Sequence, residues 1–204
     1  MKTSCGLLLL SALLATTHLN AQDKPAEPAV PPAADPHAGH AASGIKKELI
    51  EGITPADFLK LGDQPKTAKV TLVSAFTQDN YGMNFNGYSK GKATYTIPKG
   101  WTVDVTFINP SPVPHSVIVV EREMVRKFQM GQPAFAGASV PNPSVGMALK
   151  KAAFTFVAEE AGDYVFACGF PAHAVNGHWL SLKVSEDAKV PTLKLGEAEP
   201  VEAK

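Results

Sequence analysis

Cysteine is nearly missing from this 204-residue chain, which has only Cys5 and Cys168. Cys5 stands ahead of an apolar run from Leu7 to Ala15, which follows the positive Lys2 and leads to a small-residue exit at Leu19-Asn20-Ala21. That is the layout of an export signal over 1–21. A lipid-modified cysteine would follow the apolar run, so Cys5 leaves with the signal and Cys168 is alone in the mature chain. An internal disulfide is thereby excluded, and a free thiol, an intermolecular bridge or a metal ligand remain. Long apolar runs are lacking too: no stretch approaches the roughly 20 residues that span a bilayer. The expectation is an exported, soluble protein, periplasmic or secreted, with no membrane span. An excess of one charge is also absent. Losing the signal removes Lys2 and no acid, leaving 18 basic against 19 acidic residues, which gives no support for nucleic acid or an anionic membrane surface as partner.

Composition divides what remains. Residues 22–44 are rich in Pro and Ala without apolar periodicity, and read as a flexible linker. Within it Asp35-Pro36-His37-Ala38-Gly39-His40 holds two histidines with no third ligand nearby, and solvated side chains are the favoured reading. Over 45–65 the spacing of Leu49, Ile50, Ile53, Phe58 and Leu59 predicts a short helical segment, broken near Gly52 and Pro55. Residues 185–204 return to charged, Pro-containing composition and read as a flexible tail.

Between 66 and 184 the pattern is that of strands: 69–75, 93–97, 102–108, 116–120, 152–157, 163–168 and 178–184, each short, β-branched or aromatic, and bounded by turn residues. Val103, Val105 and Phe107 alternate with polar neighbours, as do Leu180, Leu182 and Val184. About seven such strands in roughly 120 residues predict an all-β Greek-key sandwich. A stretch at about 121–151 interrupts it, helical around Met124 to Phe128 and loop-like through Gly137, Pro141 and Pro143.

Cys168 closes one of these strands, and His173 and His178 follow it with four residues between each. One soft sulfur among imidazoles suits a transition metal, copper above all, because Cu(I) favours the sulfur and Cu(II) tolerates the imidazoles. A third histidine, His115, stands where the Pro-rich run Asn109-Pro110-Ser111-Pro112-Val113-Pro114 enters an apolar strand. Taken singly, each has a structural alternative: a satisfied sheet-end histidine, a small buried hydrophobe, a surface histidine. Taken together, in this order, they predict one mononuclear site of His115, Cys168, His173 and His178.

Gly162 to Cys168 with the histidine loop, and Pro114-His115 upstream, resemble the cupredoxins. Within these the chain is most similar to the sulfocyanins, through Asn84-Phe85-Asn86-Gly87, Ile97-Pro98-Lys99-Gly100-Trp101-Thr102-Val103, Val113-Pro114-His115-Ser116 and Cys168 to Trp179. The resemblance covers about 66–184. It implies a β-sandwich, one type 1 copper and an electron-carrier role. It also implies a methionine where this chain has His178. An imidazole there is a harder, better donor to Cu(II) than a thioether, which predicts a lowered reduction potential, and a CysHis3 set would also satisfy zinc. Met83, Met124, Met130 and Met147 are available as substitutes, but methionine is more often core filler.

The sequence thus favours a monomeric, exported one-electron carrier, not an enzyme, with redox partners docking near His173 among Phe170, Pro171, Ala172, Ala174 and Val175. Copper delivery through the His37/His40 arm is the alternative, and a mononuclear copper acting on a small molecule a further one. A multicopper enzyme would need a second centre, for which only His37 and His40 remain.

Overall fold

A computed structural model describes residues 44–204. The expected export signal, the expected linker up to residue 43, and His37 and His40 lie outside the described residues. The helical segment expected over 45–65 reduces to two single 3-10 turns, Lys47–Leu49 and Pro55–Asp57, and from Leu59 to Leu61 the chain is a strand instead. Pro55 suits the first position of its turn, and Asp57 caps it by accepting from the Thr54 N–H at 2.8 Å.

Ten strands follow among the described residues: β1 (Leu59–Leu61), β2 (Thr67–Val73), β3 (Ala93–Pro98), β4 (Thr102–Asn109), β5 (Ile118–Glu121), β6 (Lys150–Val157), β7 (Gly162–Ala167), β8 (Trp179–Ser185), β9 (Thr192–Leu195) and β10 (Val201–Glu202). They form two sheets, ordered β1-β2-β4-β6 and β10-β9-β3-β8-β7-β5. From β2 to β7 each connection crosses from one sheet to the other, so β2 runs parallel to β4 and β3 parallel to β8 while the remaining pairs are antiparallel. This is a Greek-key sandwich, as the strand pattern predicts.

The period-2 alternation places the core. Val103, Val105 and Phe107 of β4, Ala68, Val70 and Leu72 of β2, Tyr95 and Ile97 of β3, Phe166 of β7 and Leu180 and Leu182 of β8 are all buried in one cluster between the sheets. Tyr95 and Phe166 meet edge to face at 5.4 Å, and Phe85 meets Phe107 at 6.2 Å.

The C-terminal stretch departs from expectation. Residues 185–204 contain β9, which pairs with β3 from Ala93↔Leu195 to Thr96↔Thr192, and β10, which pairs with β9. Leu193 is buried against the main core. One well-placed leucine and a full ladder of backbone bonds order a segment whose charge and proline disguise it. The stretch after β5 is closer to its reading: a 3-10 turn at Arg122–Arg126 gives way to loop until β6.

The registers fix which connections share an end. Ser74 after β2, the Pro-rich run after β4, Cys168 after β7 and His178 before β8 all lie at one end of the sandwich.

Candidate metal centre

His115 is set by backbone on both sides. Its N–H donates to the Met147 carbonyl at 3.1 Å, and the Met147 N–H donates back to the His115 carbonyl at 2.8 Å. Asn109, at the end of β4, donates from Nδ2 to the carbonyls of Val113 and Met147, which ties the Pro-rich turn to that bridge. Gly146, at φ +71, allows the close approach: a Cβ there would stand 3.1 Å from the His115 carbonyl oxygen.

The downstream loop is closed by its own backbone. The Cys168 N–H donates to the His178 carbonyl at 2.9 Å, the His178 N–H to the His173 carbonyl at 3.0 Å, and the His173 N–H to the Phe170 carbonyl at 3.2 Å. Cys168, His173 and His178 are therefore linked in space through main-chain bonds that do not depend on their side chains.

These elements bring all four expected residues together. His115 Nδ1 lies 3.2 Å from His173 Nδ1, and Cys168 Sγ lies 3.4 Å from the same nitrogen. One donor atom from each of His115, Cys168, His173 and His178 falls within 4.8 Å of the others. His115 is 1 % exposed, Cys168 and His178 0 %, and His173 5 %. The rings also pack on one another, His115 against His178 at 4.8 Å between centroids and Phe170 against His173 at 4.7 Å.

Burial away from water pushes the Cys168 thiol up to about 11, against the opposing pull of hydrogen bonds from the backbones of Ser116 and Phe170. The Ser116 N–H donates to Sγ at 3.4 Å, and the Ser116 hydroxyl lies 3.8 Å from it while also accepting from the Gly169 N–H at 2.9 Å and donating to the Pro143 carbonyl at 2.6 Å. An isolated thiol here stays neutral. The donors around it are arranged for a thiolate, the form in which sulfur binds metal.

Several residues of the site carry no metal-ligand signature in the sequence. Ser116 is one, and Ser74 is another, its Oγ 3.2 Å from His178 Nε2. Phe85 packs its ring on His178 at 4.2 Å. The motif Asn84-Phe85-Asn86-Gly87 has a physical task in holding Phe85 there. Asn86, at φ +56, accepts from the Val73 N–H at 2.7 Å and donates to the Thr71 carbonyl at 2.8 Å and the Tyr95 hydroxyl at 3.0 Å. Asn84 donates to the carbonyls of Thr77 and Asp79 at 2.9 and 2.8 Å. Met147 serves the site through its backbone, and Met124 and Met130 pack against Ile118, Val120 and Val165 on the far face of β5 and β7.

The model of the sulfocyanin (SoxE) domain matches residues 54–194. The chain belongs to the sulfocyanin family. It is 29 % identical over 136 residues to a sulfocyanin of Sulfolobus acidocaldarius, covering 62 % of this chain and 67 % of that protein. Among solved structures it is similar to reduced auracyanin from Roseiflexus castenholzii, at 22 % identity over 57 % of this chain and 96 % of that one, TM-score 0.42. It is also similar to rusticyanin from Thiobacillus ferrooxidans, at 23 % identity over 64 % and 89 %, TM-score 0.39. Membership in the sulfocyanin family brings a cupredoxin fold, a blue copper centre and electron transfer as the role. The donor chemistry agrees: one buried sulfur and three imidazoles in a single cluster suit one copper ion. None of the described helices is long and apolar enough to cross a membrane.

Proposed function

We propose that this protein is an exported one-electron carrier, periplasmic or secreted, in which His115, Cys168, His173 and His178 hold a single copper. The observation that carries the reading is the convergence of those four buried donors. When bound, the copper supplies a centre that accepts and returns one electron.

The chain's own residues supply the rest. Cys168 gives up its proton and offers the only soft anionic donor of the described residues. His115 and His173 present their Nδ1 atoms to each other, His173 presents the same atom to the sulfur, and His178 supplies a third imidazole where relatives are expected to have methionine. Main-chain bonds hold the ligand loop and the Pro-rich turn, so little rearrangement accompanies a change of charge. The same burial keeps the donors away from bulk water, which favours a carrier over an enzyme.

Partners meet the protein at the loop end. The Ala172 N–H donates to the Phe128 carbonyl at 2.8 Å, placing the exposed Phe128 beside the ligand loop, and Val175 projects from the loop itself, 48 % exposed. His173, under Phe170, lies just beneath this apolar rim. Brief docking of redox proteins onto such a rim suits a carrier that must also let go.

Loading the purified protein with Cu(II) tests the reading. An intense thiolate-to-copper band in the visible spectrum is expected, bleached by one equivalent of reductant and absent in Cys168→Ser. A Cys168→Ser protein that keeps the band would refute the assignment.

A further inference from the structure

We propose that Ser74 is a positioning residue for the fourth donor: its hydroxyl accepts the Nε2 proton of His178 and so keeps the lone pair of Nδ1 for the metal. Ser74 directly follows β2 and is wholly buried. Its backbone is fixed from two sides, by the Ser74 N–H donating to the Ile108 carbonyl at 2.9 Å and by its bridge to Phe85. Its Oγ stands 3.2 Å from His178 Nε2. Phe85 bears on the same imidazole at 4.2 Å, so the ring is held in its plane by one neighbour and along its edge by the other.

A neutral imidazole has one N–H and one lone pair, on different nitrogens. With the proton on Nε2, the lone pair is on Nδ1. That is the nitrogen through which His115 and His173 also approach the cluster. A hydroxyl aimed at Nε2 thus makes His178 equivalent to the other two imidazoles in the atom it offers. Loss of one ordinary buried hydrogen bond alters an equilibrium by about fivefold, and loss of an outer hydrogen-bond partner of a metal-bound histidine weakens metal binding about 10- to 100-fold.

The proposal rests on the reading of the four side chains as one copper site, but its first test needs no metal. In 15N-labelled metal-free protein, long-range proton–nitrogen correlations report which nitrogen of His178 carries the proton. The Nε2–H form is expected in the wild type, with its preference over Nδ1–H reduced about fivefold in Ser74→Ala and retained in Ser74→Thr. Cu(II) bound to Ser74→Ala is expected to dissociate at least tenfold faster into a chelator, with a displaced visible band. An Nδ1–H form in the wild type overturns the proposal, even if Ser74→Ala does not fold. An unchanged tautomer, spectrum and copper release in Ser74→Ala overturn it equally. Absence of a thiolate-to-copper band in the wild type would instead refute the copper site, while the metal-free tautomer still decides the role of Ser74.

Discussion

Raising the pH of the metal-free protein should destabilise it through one buried thiol. Burial raises Cys168 from the ordinary 9.0 to about 11 in the folded chain, whereas the unfolded chain keeps the ordinary value. Well below pH 9 the thiol is protonated in both states and contributes nothing that varies with pH. Between pH 9 and 11 the unfolded state sheds the proton and the folded state cannot, so stability falls as pH rises. The gap of about two pH units between the folded and unfolded thiol is worth roughly 3 kcal/mol in full, most of it lost by pH 11 and the remainder just above. Other groups titrate here too, including the buried Tyr95, whose hydroxyl is also raised by burial. Comparison with Cys168→Ala removes their contribution. Urea unfolding of both proteins from pH 7 to 11.5 should show the wild type losing roughly 3 kcal/mol relative to the variant, nearly all of it above pH 8. The same thiol requires copper loading at pH 8 to release about one proton more in the wild type than in the alanine variant, measurable by calorimetry in buffers of different ionisation enthalpy. A stability difference that stays flat across pH 9 to 11 would show that the thiol is not held neutral by burial, and the reasoning would fail.

Replacing His178 by Met should raise the reduction potential and turn the oxidised protein bluer, because a thioether is a weaker donor to Cu(II) than an imidazole; an unchanged potential and spectrum would remove His178 from the ligand set. Asn86→Ala strips the hydrogen bonds to Val73, Thr71 and Tyr95, and should cost about 3 kcal/mol at about 1 kcal/mol each. Denaturant unfolding of the metal-free variant checks it, and a loss below about 1 kcal/mol would mean that the Asn84 to Gly87 loop is held by other contacts.

The seven strands expected from alternation are all present, with ends within two residues, because β2, β3, β4 and β8 each bury one face and show it in the pattern. β1, β9 and β10 escaped notice for a physical reason. Each is a short strand at or near a sheet edge, where one or two apolar residues suffice. Leu193 in Thr192-Leu193-Lys194-Leu195 is buried, while Thr192, Lys194 and Leu195 stay partly open. The four clustered side chains were legible because three of them sit on one short loop at regular spacing. Ser74 was not, since a serine 104 positions before His178 in the chain becomes its neighbour only once β2 and β8 are placed in opposite sheets. Ser116 was visible only as the letter after His115.

The main-chain bonds that close the loop from Cys168 to His178 separate its dimensions from its chemistry. The contacts Cys168 to His178 and His178 to His173 count residues, not side chains. An inserted or deleted residue between 168 and 178 would break that count and scatter the donors, however suitable its identity. A replaced side chain leaves the count intact. On the proposed ligand set, the loop is a socket of fixed bore, in which position 178 can exchange one donor element for another and retune the electron affinity of the centre without a new backbone.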